Sequence, residues 1–493
     1  MSLIDVVDLT FAYEGNYENV FEHVSFQLDT DWKLGFTGRN GRGKTTFLRL
    51  LLGQYEYDGT ISASVEFEYF PFEVKDQKRM TLEVIEERLP ALEDWRLFKE
   101  LNLLNVDVQV LYRPFSTLSY GEQTKVLLAA LFLGENKFLL IDEPTNHLDS
   151  EARRLVAEYL NRKKGFILVS HDRRFLDRCV DHILSINKMN IEVQKGTFSS
   201  WYANKEARDR MEFEQNEKLK KEVKRLQKSA RQACRWSDQV EQSKKGQRVA
   251  GLRPDRGFIG HKSAKMMKRS KVLEARKEQA AADKSKLLKN IEEADALRLY
   301  PLPYHTDRMI SIENVSVSYG EHVVCSGIGA EIRQGDRVCL SGPNGCGKSS
   351  VLKLILGEKL SHTGNVKVGS GIKFSYVSQD TSFLKGSLKE IALEYELDES
   401  LFKTLLRKLD IGRGQFDQDV SQYSAGQKKK VLLAKSLCER AHIYVWDEPL
   451  NYIDILSRIQ IEELILKYHP TMIFVEHDEA FRERVATKTV DQW

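Results

Sequence analysis

"GFTGRNGRGKTTFLRLLLG" at Gly35–Gly53 decides the fold, because the chain carries it twice. It returns as "CLSGPNGCGKSSVLKLILG" at Cys339–Gly357. Each copy fits G-x-x-x-x-G-K-[ST], a loop whose backbone N–H groups curl around a phosphate while the next helix N-terminus adds a favourable field. Apolar strand-like residues precede both loops ("WKLGFT", "RVCLS"), and a periodic apolar helix follows each. The motif therefore sits in the strand–loop–helix context that its chemistry needs. Gly38, Asn40, Gly41, Gly43, Lys44, Thr45 and Thr46 would hold one nucleotide. Gly342, Asn344, Gly345, Gly347, Lys348, Ser349 and Ser350 would hold a second. Lys44 and Lys348 would reach the β- and γ-phosphates, and Thr45 and Ser349 would ligate Mg²⁺.

Three further motifs recur in the same order. "LSYGEQTKVLLAAL" (Leu118–Leu131) returns as "YSAGQKKKVLLAKSL" (Tyr423–Leu437). "KFLLIDEPTNHLD" (Lys137–Asp149) returns as "IYVWDEPLNYID" (Ile443–Asp454). "FILVSHD" (Phe166–Asp172) returns as "MIFVEHD" (Met472–Asp478). Internal repetition on this scale predicts two homologous α/β domains, at 1–203 and 305–493, joined by a linker at 204–304. The apolar runs ending in Asp142 and Asp447 suit strands buried in a parallel sheet. Those two carboxylates would hold Mg²⁺. Glu143 and Glu448 follow them, where a carboxylate can polarise an attacking water. His171 and His477, each after the next buried strand, would contact the γ-phosphate.

Net charge is +3, but its distribution is uneven. Residues 204–300 carry 27 Lys+Arg against 15 Asp+Glu, a net of +12, which leaves −9 for the rest. This asymmetry points to a polyanion partner for the middle of the chain, against the plainer reading of a solvated coiled coil. Six cysteines without a Cys-x-x-Cys pair suit reduced thiols in a cytosolic protein. The start "MSLIDVVDLTF" lacks the pattern of a signal peptide, and no run reaches the roughly 18 apolar residues of a membrane span.

From Lys205 to Val240 the residues are good helix formers without Gly or Pro. Leu219, Val223 and Leu226 fall on one face. Leu273, Ala280 and Leu287 repeat every seven residues, with Leu288 and Ile291 beside them. The pattern predicts an antiparallel helical hairpin, with a turn at about 242–261 broken by Gly246, Gly251, Pro254, Gly257 and Gly260. Lys244, Lys245, Arg248, Arg253, Arg256, Lys262 and Lys265 at or beside this tip can neutralise phosphates, and Phe258 can stack on a base or fill an apolar pocket.

The "LSYGEQ" signature beside "DEPTNHLD" resembles ATP-binding-cassette (ABC) ATPases. Tandem cassettes around a charged helical linker resemble the ABC-F subfamily, over nearly the whole chain. The resemblance implies an intramolecular sandwich of two cassettes around two ATPs, in a monomer without an obligate protein or membrane partner. Each loop would face the other cassette's signature: Ser424, Gly426 and Gln427 would complete the Lys44 site, and Ser119, Gly121 and Glu122 the Lys348 site. Tyr13 and Tyr319 would stack on adenine, and Gln379 would help hold Mg²⁺. A long linker loop, a short insert at about 73–115 and an end at Trp493 without an extension resemble the antibiotic-resistance, ribosomal-protection type, most of all the Lsa group. That implies a cytoplasmic protein of the 70S ribosome. It would insert its tip from the E site, past P-site tRNA and 23S rRNA, and displace lincosamides, streptogramin A and pleuromutilins.

Some positions depart from the family pattern. The stretch "FEYFPFEV" offers Phe72 where the second copy has Gln379 in "FSYVSQD". Leu450 and Tyr452 stand in place of Thr145 and His147, and "YSAGQ" in place of "LSYGEQ". The two sites are therefore expected to hydrolyse ATP at different rates, with the Lys44 site slower. Three alternatives share the cassette residues: a housekeeping translation factor of the same subfamily, a transporter ATPase subunit, and a DNA-handling ATPase. The linker between two complete cassettes argues against the last two.

Overall fold

A computed structural model describes the chain apart from residues 1, 15–18, 90–92, 135, 147, 188–189, 243–256, 258–260, 262–263, 266, 270, 277, 280–297, 321, 344, 410 and 492–493. It forms two compact units, one of residues 1–199 with 294–493, the other of residues 200–293.

The first unit holds both copies of the repeated design. In the N-terminal copy the central sheet runs Glu66–Phe70, Lys137–Asp142, Phe166–Val169, Lys33–Thr37, His182–Ile186 and Ile191–Lys195, parallel except for its last pair. In the C-terminal copy it runs Phe374–Val377, Ile443–Asp447, Met472–Val475, Arg337–Leu340 and Lys488–Val490, parallel throughout. The expected α/β class is borne out in both. Strands such as Phe166–Val169 and Ile443–Asp447 are buried along their whole length, as helices on both faces require. Each phosphate-loop strand, Lys33–Thr37 and Arg337–Leu340, is a central one, with a strand paired on either side. Its loop therefore emerges at the carboxyl edge of the sheet, where open α/β folds bind ligands. An antiparallel three-stranded sheet flanks each core. In the first copy its residues Ile4, Leu9 and Leu28 pack with Phe47 and Leu48 of the helix after the loop.

The two copies meet through an acidic–basic seam. Arg173 and Arg484 both reach the carboxylate of Glu462, which is 0% exposed. Arg178 meets Glu479 at 3.0 Å, and Arg174 meets Glu483. The helices Arg173–Cys179 and Glu479–Val485 supply most of these groups.

In the second unit, most of the 45-residue helix Phe198–Gln242 spans the stretch expected to be helical and reaches about 68 Å at 1.5 Å per residue. On it Leu226 is buried, and Leu219 and Val223 are half-buried among exposed neighbours. Gly257 and His261, expected in the turn, are helical. A glycine inside a helix costs only about 1 kcal/mol. Lys265 is exposed on a helical stretch. Lys244, Lys245, Arg248, Arg253, Arg256, Phe258, Lys262, Ala280, Leu287, Leu288 and Ile291 lie outside the described residues. Among the described residues no helix is long and apolar enough to cross a membrane.

Candidate nucleotide sites

Both loops turn into their helices through a left-handed glycine, Gly43 and Gly347, each at φ 94°. A side chain at Gly43 would also strike Val20 and Phe21, with its Cβ 2.6 Å from the valine methyl. Glycine is thus demanded twice over, by backbone and by space. Lys44 is 8% exposed and donates to the carbonyls of Gly38 (2.7 Å) and Arg39 (3.1 Å). Lys348 donates to those of Gly342 (2.8 Å) and Pro343 (2.7 Å). Burial pulls the Lys44 ammonium below its ordinary range, against the pull of Asp454, Glu143 and Asp142.

The first site keeps Asp142 occupied. Tyr69 donates to its Oδ2 at 2.9 Å and Thr45 at 3.3 Å. Burial nonetheless raises the Asp142 carboxyl. Glu143 lies next to it with little help. His171 Nε2 is 3.3 Å from its Oε1 but out of line for a hydrogen bond, and among the described residues that oxygen has no other partner. Burial first, then the Asp142 charge, pushes the Glu143 carboxyl up to about 8. Burial, with Lys44, Arg458 and Lys430, drives His171 well below its ordinary value, so it is a neutral imidazole. Phe72 lies beneath the Arg88 guanidinium at 4.1 Å.

The second site treats the matching glutamate differently. Glu448 Oε2 accepts from Gln379 (3.1 Å) and Asn451 (2.7 Å), and His477 Nε2 stands 3.7 Å from Oε1. Burial alone would raise this carboxyl, but His477, Lys429 and Asn451 hold it below its ordinary value. Asp447 is raised by burial, which the Ser349 hydroxyl offsets in part. Among the described residues, Asp447 Oδ1 and His477 Nε2 are buried polar atoms without a partner. Such orphaned groups are costly in a folded interior. Their placement beside Lys348 and Ser349 fits a bound cation and phosphate.

The signature residues cap helices. Ser119 accepts from the Glu122 N–H at 3.2 Å, and Ser424 from the Gln427 N–H at 3.3 Å. Glu122 and Gln427, expected at the nucleotide, turn back to the N–H groups of Ser119 and Ser424 and complete capping boxes. Ser119 and Gly121 line a cavity of about 830 Å³ together with Gly345, Lys348, Gln379 and His477. One cassette's signature and the other's phosphate loop thus share one space. At the first loop the cassettes touch. Asn40 Nδ2 donates to the carbonyl of Tyr452 at 2.9 Å, and a side chain on Gly426 would come within 2.9 Å of the Tyr452 Cβ.

Tyr13 and Tyr319 are 40% and 50% exposed. Their hydroxyls pair with Thr46 (2.6 Å) and Ser350 (3.1 Å), so each ring stands over the first turn of a loop helix. Asn344 and His147 lie outside the described residues. Sequence reasoning missed Tyr69, Asn451 and Lys429. Asn451 carried a signal, since Asn146 stands at its place in the other copy.

A family profile described as "ABC transporter" matches residues 21–146 and 325–451. The ribosome protection protein VmlR of Bacillus subtilis (strain 168) is 29% identical, over 97% of this chain and 85% of its own length. The ATP-binding protein Uup of Buchnera aphidicola subsp. Acyrthosiphon pisum is 26% identical, over 99% and 80%. Among solved structures, an archaeal ribosome recycling factor aABCE1, in complex with the stalk protein aP1, aligns at a TM-score of 0.64 and 19% identity, covering 98% of this chain and 87% of that one. That likeness is one of fold. The profile spans the core of both cassettes, so the chain belongs to the ABC family of ATPases.

Proposed function

We propose that the chain binds ATP and Mg²⁺ at both phosphate loops and uses the closed cassettes to act on the ribosome. Lys44 and Lys348 neutralise phosphate charge, while Tyr13 and Tyr319 receive the adenines. Thr45 and Asp142 hold one Mg²⁺, and Ser349, Asp447 and Gln379 the other. The metal supplies charge neutralisation on the phosphoryl oxygens. Glu448, ionised and held by Gln379 and Asn451, orients the attacking water and takes its proton. His477 donates toward the γ-phosphate. Ser119 and Gly121 meet the nucleotide of Lys348, and Ser424 and Gly426 that of Lys44, so closure requires bound nucleotide.

The closed form presents the basic linker to the 70S ribosome in the cytoplasm. The tip, with Lys244, Lys245, Arg248, Arg253, Arg256, Phe258, Lys262 and Lys265, enters at the E site beside P-site tRNA. It then approaches 23S rRNA near the peptidyl-transferase centre. There it clears lincosamides, streptogramin A and pleuromutilins. Hydrolysis opens the cassettes and releases the protein. The observation that carries this reading is the organisation itself. Two cassettes flank a linker of net charge +12, and the match to a ribosome protection protein extends over 97% of the chain.

Expression in a susceptible bacterium tests it. The chain should raise the inhibitory concentration of these three drug classes, and Glu143→Gln/Glu448→Gln should not. Unchanged susceptibility would contradict protection and favour a housekeeping translation factor.

A further inference from the structure

The helix Ala425–Cys438 begins at the Ser424 cap and ends deep in its own cassette. Lys429 lies five residues along it, about 7.5 Å from the cap. It is 3% exposed, and its ammonium donates to the carbonyls of Ser378 (2.8 Å) and Asp447 (3.0 Å). Ser378 precedes Gln379, and Asp447 precedes Glu448. One buried cation therefore clamps the two segments that position the glutamate of the Lys348 site. A lysine is rarely buried unless such partners hold it.

The same helix is fastened a second time. Ser436 Oγ accepts from Trp446 Nε1 at 2.9 Å and pairs with Ser375 Oγ at 2.6 Å. Trp446 and Ser375 sit on the strands Ile443–Asp447 and Phe374–Val377, which lead to the clamped segments. Helix and strands are thus joined at two levels. Among the described residues, the first cassette has neither fastening. Thr124 stands at the place of Lys429, and its hydroxyl returns to Tyr120 O at 2.8 Å within its own helix. Leu131, apolar and buried, stands at the place of Ser436.

We propose that Lys429 is a positioning residue that carries the state of the Lys44 site into the Lys348 site, and that this coupling runs one way. It rests on the reading above that Ser424 and Gly426 meet the nucleotide held by Lys44. Engagement of the cap shifts the helix. Lys429 then moves Ser378–Gln379 and Asp447–Glu448 with it. Thr124 transmits nothing comparable in the opposite direction.

Hydrogen exchange in the full chain tests this. Lys348→Ala confines nucleotide to Lys44, and Glu143→Gln prevents its hydrolysis. Adding ATP and Mg²⁺ should slow exchange about threefold or more both at 423–428, the cap, and at 374–380, the clamped segment. With Lys429→Met the slowing at the cap should persist and that at 374–380 should vanish. Lys429→Arg should keep part of it. Lys429→Thr installs the first cassette's residue and replaces the methionine variant if that one does not fold. Slowing at 374–380 that survives without the ammonium overturns the proposal. A cap that slows while 374–380 never does overturns the coupling alone. A cap that never slows refutes the placement of Ser424 at the Lys44 nucleotide, and the proposal falls with it.

Discussion

Asn40 of the first phosphate loop donates to the backbone carbonyl of Tyr452 in the second cassette, 412 residues away, at 2.9 Å. Tyr452 holds a left-handed φ of 64°, a conformation that costs a bulky residue energy. The surrounding contact therefore holds it there. Asn40→Asp keeps the length of the side chain but removes its donor. Losing one such bond is worth about 1 kcal/mol, or roughly fivefold in affinity. ATP binding at the Lys44 loop, followed with a fluorescent nucleotide in a Lys348→Ala chain, should weaken by about that factor.

The two glutamates stand in unlike surroundings. Glu448 has two amide donors on one oxygen, whereas among the described residues an oxygen of Glu143 has none. Phe72 cannot do what Gln379 does, because a phenyl ring neither donates nor accepts. Single-turnover hydrolysis should therefore be slower in Glu448→Gln, where the Lys44 site remains, than in Glu143→Gln. One mispositioned general base accounts for about 10²-fold. Equal rates would remove the asymmetry.

Much of this was legible in the sequence, and for physical reasons. A loop that wraps a phosphate admits few residues, so Gly43, Lys44, Gly347 and Lys348 announce themselves twice. Helical periodicity placed Leu226 on the buried face of Phe198–Gln242. What escaped notice depends on neighbours far apart in the chain. Nothing local shows that Tyr69 reaches Asp142, or that Tyr452 meets Asn40. Nor was it apparent that Glu122 caps its own helix, because the signature motif and a capping box use the same serine and the same spacing. Gly257 read as a helix breaker because a glycine's cost in a helix is visible in sequence while what offsets that cost is not.

Asp478 is 0% exposed and meets Arg458 Nη1 at 3.0 Å. Burial would raise its carboxyl, but Arg458 and then Arg173 hold it below the ordinary carboxylate value. A depressed folded pKa contributes stability that is present above the unfolded value near 3.8 and is lost as pH falls through the lower folded one. Asp478→Asn should cost about 3 kcal/mol at neutral pH, since it leaves Arg458 without its nearest carboxylate. The gap between the two proteins should narrow below about pH 4. Denaturant unfolding across pH measures both effects.

Glu462 carries two arginines at a position with 0% exposure. Glu462→Gln takes from Arg173 the carboxylate it is hydrogen-bonded to at a buried position and should cost about 3 kcal/mol. Arg174→Ala breaks a pair in which both partners are exposed and should cost under about 1 kcal/mol. Thermal unfolding of the two variants should separate them clearly. Similar losses would mean that the buried pair contributes no more than the exposed one.

In the function we propose, nucleotide-closed cassettes put the basic linker on the ribosome. The most direct measurement is sedimentation of the Glu143→Gln/Glu448→Gln chain with purified 70S ribosomes through a sucrose cushion, with and without ATP. The expected result is co-sedimentation that requires ATP and weakens as salt is raised, because contacts to phosphate are lost to competing ions. A chain that stays in the supernatant at low salt with ATP present would contradict the account.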